Sequence, residues 1–279
     1  MKRHTTGVLH LEWSADGKRL FSSGGVEELL VFRVRTDDTG CIGVVEESFL
    51  PVPKQEAETR ICGLDVLQYD GVHCVAAGMS DGLVKVWTYQ ENVWTWKVTA
   101  VYGTCCLLHA KFVPVASEGK LALLVAATDG HLAIYEVDGL TMRQVWRQRV
   151  HQSGIKALSV DPSPTGVTVF TGGDDCAIAS TTVEYTKNSW MTVECNLVER
   201  AHASAVTAIL TVTGGEGRVI TAGVDQRVKM WNRRLEAVGS VNSMVTDLGG
   251  AVAVDTEAGN AVVVVGVGIE AWRVGEMEK

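Results

Sequence analysis

The sequence lacks the features that carry a protein into or across a membrane. Among its 279 residues the longest strongly apolar run covers residues 261–267, far short of the ~20 residues that a membrane-spanning helix needs. The first residues are basic but lead into alternating apolar and polar residues, so the apolar core of a signal peptide is absent. No Asn-x-Ser/Thr sequon occurs. These absences predict a cytoplasmic protein.

Paired metal ligands and regularly spaced cysteines are also missing. The seven cysteines are odd in number and include no CxxC pair, and the seven histidines include no H-E-x-x-H pair. Disulfide frameworks and zinc sites need such spacings. We therefore expect no metal site, and we expect the cysteines to be reduced and to serve as small core residues.

Proline is scarce, with five residues, whereas β-branched residues are abundant. The chain contains 43 valines, 24 threonines and 8 isoleucines, which favour pleated strands over helices. A sustained i, i+3, i+4, i+7 apolar pattern is absent, which excludes a helical solenoid. The net charge of −8 argues against a surface that binds phosphates throughout, although a local basic patch is compatible with it.

The chain repeats a pattern of small residues, an aspartate, a turn residue and an alternating apolar run. The aspartates of its four clearest copies lie 48, 46 and 50 residues apart: Asp81, Asp129, Asp175 and Asp225. Weaker copies lie near residues 21–32 and 263–272. A period of about 45–50 residues with strand patterns predicts an all-β propeller with four-stranded blades.

Turn residues between the apolar runs divide the chain into about six units, which begin near residues 7, 60, 104, 154, 205 and 244. We expect residues 1–279 to form one propeller domain. The sixth unit is predicted to lack its fourth strand, because the sequence stops soon after Trp272. Three explanations stay open: a six-bladed ring with an imperfect seam, the end of a longer chain, or a strand supplied by a partner. An incomplete ring is the favoured interpretation.

An aspartate six residues before a tryptophan, with a histidine some 23 residues before the aspartate, resembles the WD-repeat family. The fifth unit matches at every position: His202, Thr221, Asp225 and Trp231. The fourth unit matches in part, with Thr181 in the tryptophan position: His151, Thr171 and Asp175. The resemblance implies that each group forms a buried hydrogen-bonded set. Other units depart further, with Ala77 and Val125 at the hydroxyl position.

A second resemblance lies in segments that occur in collinear order: residues 20–29, 59–66, 102–107, 128–134, 151–155, 201–203 and 224–227. These segments resemble the WD-repeat auxiliary subunits of the enzyme that methylates the ribose 2′-hydroxyl of the tRNA wobble nucleotide. The resemblance implies a non-catalytic subunit whose partner is an S-adenosylmethionine-dependent tRNA methyltransferase, with tRNA bound through the complex. It also implies that this chain corresponds to the C-terminal propeller of a longer architecture. The alternative is a general protein-interaction scaffold without an RNA role.

Two enzyme signatures can be weighed against these interpretations. Residues 78–82 fit the G-x-S-x-G nucleophile elbow around Ser80, but that elbow needs a helix after the serine, and residues 83–89 alternate as a strand. Gly266 and Gly268 lie in a strand pattern with no helix after them, unlike a nucleotide-binding turn. We therefore predict no catalytic residues and no cofactor, and we keep a hydrolase built on Ser80 only as a contrasting hypothesis.

Basic residues are the candidate contacts for a partner or for RNA. Three arginines alternate along one predicted strand, which places them on one face: Arg143, Arg147 and Arg149. Four more basic residues cluster in the fifth unit: Arg227, Lys229, Arg233 and Arg234. Solvated charge on an outer strand is the competing explanation for either cluster. Three tryptophans in fourth-strand regions can serve either an interface or blade packing: Trp94, Trp96 and Trp190.

Overall fold

The structure is a computed structural model that describes residues 4–51, 59–69, 71–113, 121–212, 217–256 and 259–277. These residues form strands and turns, apart from one short 3-10 helix at Val274–Glu276. Within them, no helix is long and apolar enough to span a membrane. The abundance of β-branched residues therefore leads to strands, as the sequence predicts.

The first three sheets each contain four antiparallel strands. The first sheet comprises β1 (Val8–Trp13), β2 (Arg19–Gly24), β3 (Leu29–Thr36) and β4 (Ile42–Phe49). The second comprises β5 (Ile61–Tyr69), β6 (Val72–Met79), β7 (Leu83–Gln90) and β8 (Val93–Val101). The third comprises β9 (Leu107–Val113), β10 (Leu121–Ala127), β11 (His131–Asp138) and β12 (Thr141–Arg149). Neighbours in the chain are neighbours in each sheet.

The remaining strands form two four-stranded sheets and one two-stranded sheet. The fourth sheet comprises β13 (Ile155–Ser163), β14 (Gly166–Gly173), β15 (Ile178–Thr186) and β16 (Ser189–Val198). The fifth comprises β17 (Val206–Val212), β18 (Arg218–Gly223), β19 (Arg227–Trp231) and β20 (Ala237–Asn242). The sixth comprises β21 (Thr246–Thr256) and β22 (Gly259–Arg273). The predicted all-β, six-bladed propeller fold is confirmed.

The sixth sheet differs from the prediction of three strands, because β22 continues where a turn was expected. In sheets two to five the third strand follows a turn that contains a residue with positive φ: Gly82, Gly130, Cys176 or Gln226. When Trp272 is aligned with Trp231, the corresponding residue of the sixth unit is Val267. A β-branched side chain strongly disfavours positive φ. The positive φ falls instead on Gly268, at +127°, and the chain continues as one strand of 15 residues.

The chain forms two compact units, each with its own buried core. The first comprises residues 1–112, 119–127 and 133–145, and the second comprises residues 113–118, 128–132 and 146–279. In the first unit, Phe21 and Val31 of the first sheet pack against Leu64, Val75 and Trp87 of the second. In the second unit, neighbouring sheets share similar cores of valine, isoleucine and alanine. The prediction of one domain over residues 1–279 stays a prediction.

The cysteines do not occupy the core as predicted. None of the seven forms a disulfide, and each is exposed or half-buried. Cys62 lies at a register shift in β5, and Cys176 lies in the turn that follows β14. Cys195 lies on the outer strand β16, whereas Cys74 lies on the inner strand β6 and Cys105 packs against a core without being buried in it. Valine and alanine fill the core in place of cysteine.

The turn before each third strand also fixes the segment that leads into the next sheet. The carbonyl of Gly130 accepts hydrogen bonds from the N–H groups of Val150 and His151, at 2.9 and 3.1 Å. The carbonyls of Gly82 and Gln226 accept equivalent bonds from Tyr102 and Ser243. These bonds place the residues that enter each sheet, which include the candidate site residues described below.

Replacing Gly130 with alanine tests this close approach. A Cβ atom at Gly130, where φ is +79°, would lie 2.2 Å from the carbonyl oxygen of His151. Gly139 provides a matched control, since its φ is +56° but nothing lies within 4 Å of a Cβ atom there. We expect Gly139→Ala to lower the free energy of unfolding by about 1 kcal/mol and Gly130→Ala by about 2–4 kcal/mol, in urea unfolding followed by tryptophan fluorescence. Equal losses would show that the approach is not tight.

Candidate functional site

The four residues predicted as a set in the fifth sheet form a continuous chain of hydrogen bonds. Trp231 Nε1 donates to Thr221 Oγ1 at 2.9 Å, and the Thr221 hydroxyl lies 2.8 Å from Nε2 of His202. His202 Nδ1 lies 3.0 Å from Asp225 Oδ1. The second carboxylate oxygen accepts the N–H of Ala203 at 2.8 Å. The set thus ties β18, β19 and their turn to the loop that enters β17.

The hydrogen bonds fit one protonation state of this set. The Thr221 hydroxyl accepts from Trp231 and has a proton of its own to give, so a neutral His202 fits with Nε2 accepting from Thr221 and Nδ1–H donating to Asp225. Burial lowers the pKa of His202, although the hydrogen bond to Asp225 and its charge oppose this effect. Burial disfavours the ionised form of Asp225, but hydrogen bonds from His202 and Ala203 outweigh it and lower the pKa of that carboxyl. A neutral imidazole beside a carboxylate satisfies every contact.

The partial set of the fourth sheet has the same geometry without the tryptophan. His151 Nδ1 lies 2.9 Å from Asp175 Oδ1, and its Nε2 lies 2.9 Å from Thr171 Oγ1. The N–H of Gln152 donates to Asp175 Oδ2 at 2.7 Å. Thr181 pairs with Val169 in the register position that Trp231 holds in the next sheet, and its hydroxyl lies near Cys195 instead.

The first sheet contains a third set that the sequence patterns did not identify. His4 Nε2 lies 2.7 Å from Ser22 Oγ, and His4 Nδ1 lies 3.0 Å from Glu28 Oε2. The N–H of Thr5 donates to the same carboxylate at 3.0 Å. The spacing provides a signal, because His4 precedes the acid by 24 residues, as His151 precedes its aspartate. Glutamate in place of aspartate hid the match.

The sixth sheet has a reduced version of the same arrangement. Ser243 lies where the other sheets have histidine, and its hydroxyl donates to Glu270 Oε2 at 2.7 Å. The N–H of Met244 donates to the same oxygen at 3.0 Å. In four sheets, therefore, a carboxylate binds both a side chain and the next backbone N–H of the entering loop.

The buried sets are chemically suited to holding loops. A hydroxyl, a histidine and an aspartate in sequence also occur in hydrolases, but Thr171 and Thr221 are fully buried and a substrate does not reach them in this conformation. Ser80 is equally occupied, since its Oγ accepts the N–H of Arg60 at 2.9 Å. The strand β7, with no helix, follows it, so the nucleophile-elbow geometry is absent at this turn.

The predicted basic contacts divide into paired and unpaired side chains. Four of the seven bind other groups of the protein. Two form ion pairs: Arg147 with Asp129 at 2.7 Å, and Arg233 with Asp161. Two donate to backbone carbonyls: Arg149 to His151 and Gln152, and Lys229 to Ala201. Within the described ranges, the other three make no side-chain hydrogen bond or ion pair: Arg143, Arg227 and Arg234. The three arginines of β12 are all exposed.

A basic residue that sequence patterns missed lies beside this group. Arg200 lines two open depressions of the second unit, of about 510 and 670 Å³. Arg149 also lines the first, and Arg227 and Lys229 also line the second. Arg200 has a φ of +54°, which turns the chain just before His202. Arg200 reaches both depressions because of the loop that the His202 set holds. A single basic residue in the sequence does not indicate such a position.

Of the three tryptophans predicted to serve an interface or blade packing, the two whose side chains the structure describes pack against tyrosines. Trp190 is buried against Tyr185, and Trp94 packs at 4.9 Å between ring centroids against Tyr89. The side chain of Trp96 lies outside the described part of the structure. Within that part, no group of three or more His, Cys, Asp or Glu side chains is arranged to hold a metal ion.

Removing the imidazole of His202 tests the contribution of the fifth-sheet set to stability. His202→Ala leaves Asp225 and Thr221 without their buried partner, so we expect the free energy of unfolding to fall by about 2–4 kcal/mol in urea unfolding. His131→Ala is the control, because His131 is half-buried and bonds only within its own turn, and we expect a change below about 0.5 kcal/mol. Similar effects of the two changes would contradict a structural role for the set.

The protonation of His202 gives the stability a pH dependence. Its pKa is lowered in the folded state, whereas the unfolded chain has the ordinary value of about 6.5. As the pH falls through about 6.5, the unfolded chain binds the proton first, so the stability decreases towards lower pH. We expect His202→Ala to have a smaller slope of unfolding free energy between about pH 7 and pH 5. Above about pH 8 the slopes should coincide, and an unchanged slope below pH 7 would contradict the assignment.

Comparisons with known proteins agree with this geometry. Residues 142–179 match the WD40 family model, described as WD domain, G-beta repeat. The matched segment contains His151, Thr171 and Asp175, the set of the fourth sheet. The search of curated proteins found no match.

Solved structures share the fold. The chain aligns with a chain in a crystal structure of the mitotic checkpoint complex, with a TM-score of 0.64, 13% sequence identity, and coverage of 94% of this chain and 77% of the other. At this identity the likeness concerns the fold alone. The family-model match concerns residues 142–179, and the fourth sheet that contains them has the strand order of a propeller blade.

Proposed function

We propose that the protein is a non-catalytic WD-repeat subunit that binds an S-adenosylmethionine-dependent methyltransferase and promotes 2′-O-ribose methylation of the tRNA wobble nucleotide. WD40 propellers are generally non-catalytic scaffolds for protein partners. The tRNA part of the proposal depends on the collinear segments of the sequence, and a cytoplasmic location belongs to the same proposal. The observation that supports protein binding best is an exposed apolar surface on the first sheet.

This first-sheet apolar face consists of five residues that cross-strand pairing places on one side: Leu11, Trp13, Leu20, Phe32 and Phe49. Leu11 is linked through Ser22 and Leu30 to Phe49, and Trp13 through Leu20 to Phe32. Leu11, Trp13 and Phe49 are 58%, 51% and 62% exposed. The opposite side of the sheet is occupied by the core that contains Phe21 and Val31.

Large exposed aromatic side chains in one patch are typical of protein-binding surfaces. An isolated exposed leucine would need no explanation, but here two aromatic rings and a leucine share one face of a sheet. Leu11 and Trp13 lie on the edge strand β1 and Phe49 on the edge strand β4, so the pairing of the sheet fixes the spacing of their backbone positions. The first-sheet apolar face is therefore the surface that we assign to the methyltransferase.

The unpaired arginines of the second unit are suited to tRNA. Arg200 and Arg227 line one depression and have no side-chain partner in the described ranges. Arg200, Arg227 and Lys229 share this depression with Asp175 and Asp225, and both aspartates are already bound by histidines and backbone N–H groups. Arginine side chains of this kind contact phosphates without reading the base sequence.

Charged substitution on the first-sheet apolar face tests partner binding. We expect Trp13→Asp with Leu11→Asp to abolish co-purification of the methyltransferase and to remove the wobble 2′-O-methyl group from tRNA, as measured by mass spectrometry of tRNA nucleosides. Leu140→Asp is the control, because Leu140 is 80% exposed in a turn away from this face. Circular dichroism checks that each variant folds. Full methylation in the double variant would contradict the assigned surface.

Deletion of the gene separates the two function hypotheses. Loss of the wobble 2′-O-methyl group supports the methylation subunit, whereas normal methylation in the deletion strain leaves the alternative of a general scaffold without an RNA role.

Charge reversal tests contact with tRNA. We expect Arg227→Glu to weaken tRNA binding by the complex about 5–10-fold at ~0.1 M salt and to reduce the salt slope by about one. Lys187→Glu changes the charge equally at an exposed turn between β15 and β16 and should have little effect. Equal weakening by both changes would indicate a response to net charge only.

A further inference from the structure

Two cysteines of neighbouring sheets lie in contact, away from the hydrogen-bonded sets and the basic residues. Cys62 belongs to β5 of the second sheet, and Cys106 belongs to the segment that leads into β9 of the third sheet. The thiol of Cys62 is hydrogen-bonded to the side chain of Cys106. A disulfide needs its sulfurs about 2 Å apart, so two thiols that already touch lie close to the geometry of that bond.

The backbones on both sides hold the two sulfurs near each other. A Cβ atom at Gly63, which follows the cysteine of β5, would lie 2.7 Å from the Cα atom of His109 on β9. A Cβ atom at Gly78, which pairs with Gly63, would lie 2.9 Å from the carbonyl oxygen of Leu107, the first residue of β9. The second sheet therefore lies directly against the start of the third, and the contact between the thiols follows from this backbone approach.

Both cysteines also lie where the chain is irregular and where solvent has access. Cys62 stands at the register shift of β5, between Ile61 and Gly63, and Cys106 lies just before the strand pairing of β9 begins. Each side chain is half-buried. A small oxidant in solution therefore reaches the pair, and the change from a thiol contact to a covalent bond disturbs no regular pair of a strand ladder.

We propose that Cys62 and Cys106 form a reversible disulfide when hydrogen peroxide oxidises the protein. In a reducing compartment such a bond is transient and serves redox sensing, in contrast to the permanent disulfides of secreted proteins. The bond would close a loop that contains most of the second sheet, and it would tie that sheet to the entry of the third. The site is thus a modification site for a peroxide, independent of the methylation proposal.

The environment of the pair gives the two sulfurs different roles. The hydrogen bond to Cys106 and burial both raise the pKa of the Cys62 thiol, so Cys62 keeps its proton and Cys106 supplies the attacking thiolate. The thiolate attacks one peroxide oxygen: an S–O bond forms, the O–O bond breaks, and the departing hydroxide takes up a proton to become water. The product is a sulfenic acid at Cys106.

The second step uses the neighbouring thiol. The sulfur of Cys62 attacks the sulfur of the sulfenic acid, so that the S–S bond forms and the S–O bond breaks. The departing hydroxide takes the proton of the Cys62 thiol and leaves as a second water. Two thiols and one peroxide thus give one disulfide and two waters, and the two electrons lost by the sulfurs reduce the peroxide.

Disulfide mapping by mass spectrometry tests the proposal on the 279-residue chain. After brief treatment with hydrogen peroxide, we expect peptides joined through Cys62 and Cys106, which dithiothreitol separates. Cys105→Ser is the matched control, because Cys105 is the chain neighbour of Cys106 and is also half-buried. This variant should form the same bond within about twofold of the wild-type rate. A wild-type chain in which the two cysteines stay unlinked, or in which Cys105 links to Cys62 equally, would overturn the proposal.

Trapping of the sulfenic acid tests the order of the two steps. In Cys62→Ser the second thiol is missing, so a dimedone reagent should label Cys106 at least about fivefold more than in the wild type. In Cys106→Ser the label should not accumulate at Cys62. Equal accumulation in both variants would overturn the assigned roles, and no increase in Cys62→Ser would show that Cys62 does not consume the sulfenic acid. Circular dichroism checks that each variant keeps the β-sheet content of the wild type.

Discussion

The interaction on which the local structure depends is the bond between a carboxylate and the loop that enters its sheet. Asp175, Asp225, Glu28 and Glu270 each accept the backbone N–H of an entering loop and a side-chain donor beside it. A half-buried carboxylate that lost such donors would be less stable, so the position of the entering loop and that of the carboxylate depend on each other. This reciprocal requirement fixes where each first strand begins, and therefore the register of the strands that follow.

The same interaction explains why the sequence predicts the fold well and the sixth unit poorly. Asp175 and Asp225 make this bond. Asp81 and Asp129 hold the same place in their units but accept N–H groups of their own turns. The place of the acid within each unit is therefore constant, and the spacing of the four aspartates reports the period. The sixth unit keeps the function of the acid but moves it to Glu270, and Val267 replaces the residue that turns the chain. A strand then forms where a turn was predicted, because local backbone preference decided the outcome there.

The candidate site shows the same division between local and long-range information. The His202 and His151 sets are readable because their members have a fixed spacing, and the His4 set is missed only because glutamate replaces aspartate. Whether a basic side chain is paired cannot be predicted from the sequence patterns. Arg233, for example, pairs with Asp161, which lies 72 positions earlier in the chain. Pairing of this kind is decided by packing between sheets, which sequence spacing does not encode.

The distribution of polar groups favours binding over chemistry as the role of this chain. Its best-organised polar sets are buried within the sheets, where the hydroxyl, imidazole and carboxylate satisfy one another. The described surface includes exposed apolar residues on the first and sixth sheets and a few unpaired arginines, and groups of these kinds are typical of surfaces that bind proteins and phosphates. A catalytic site would need an accessible reactive group beside a base. Because the sets serve stability, substitutions in them should change folding before they change partner binding, whereas the first-sheet apolar face should show the reverse.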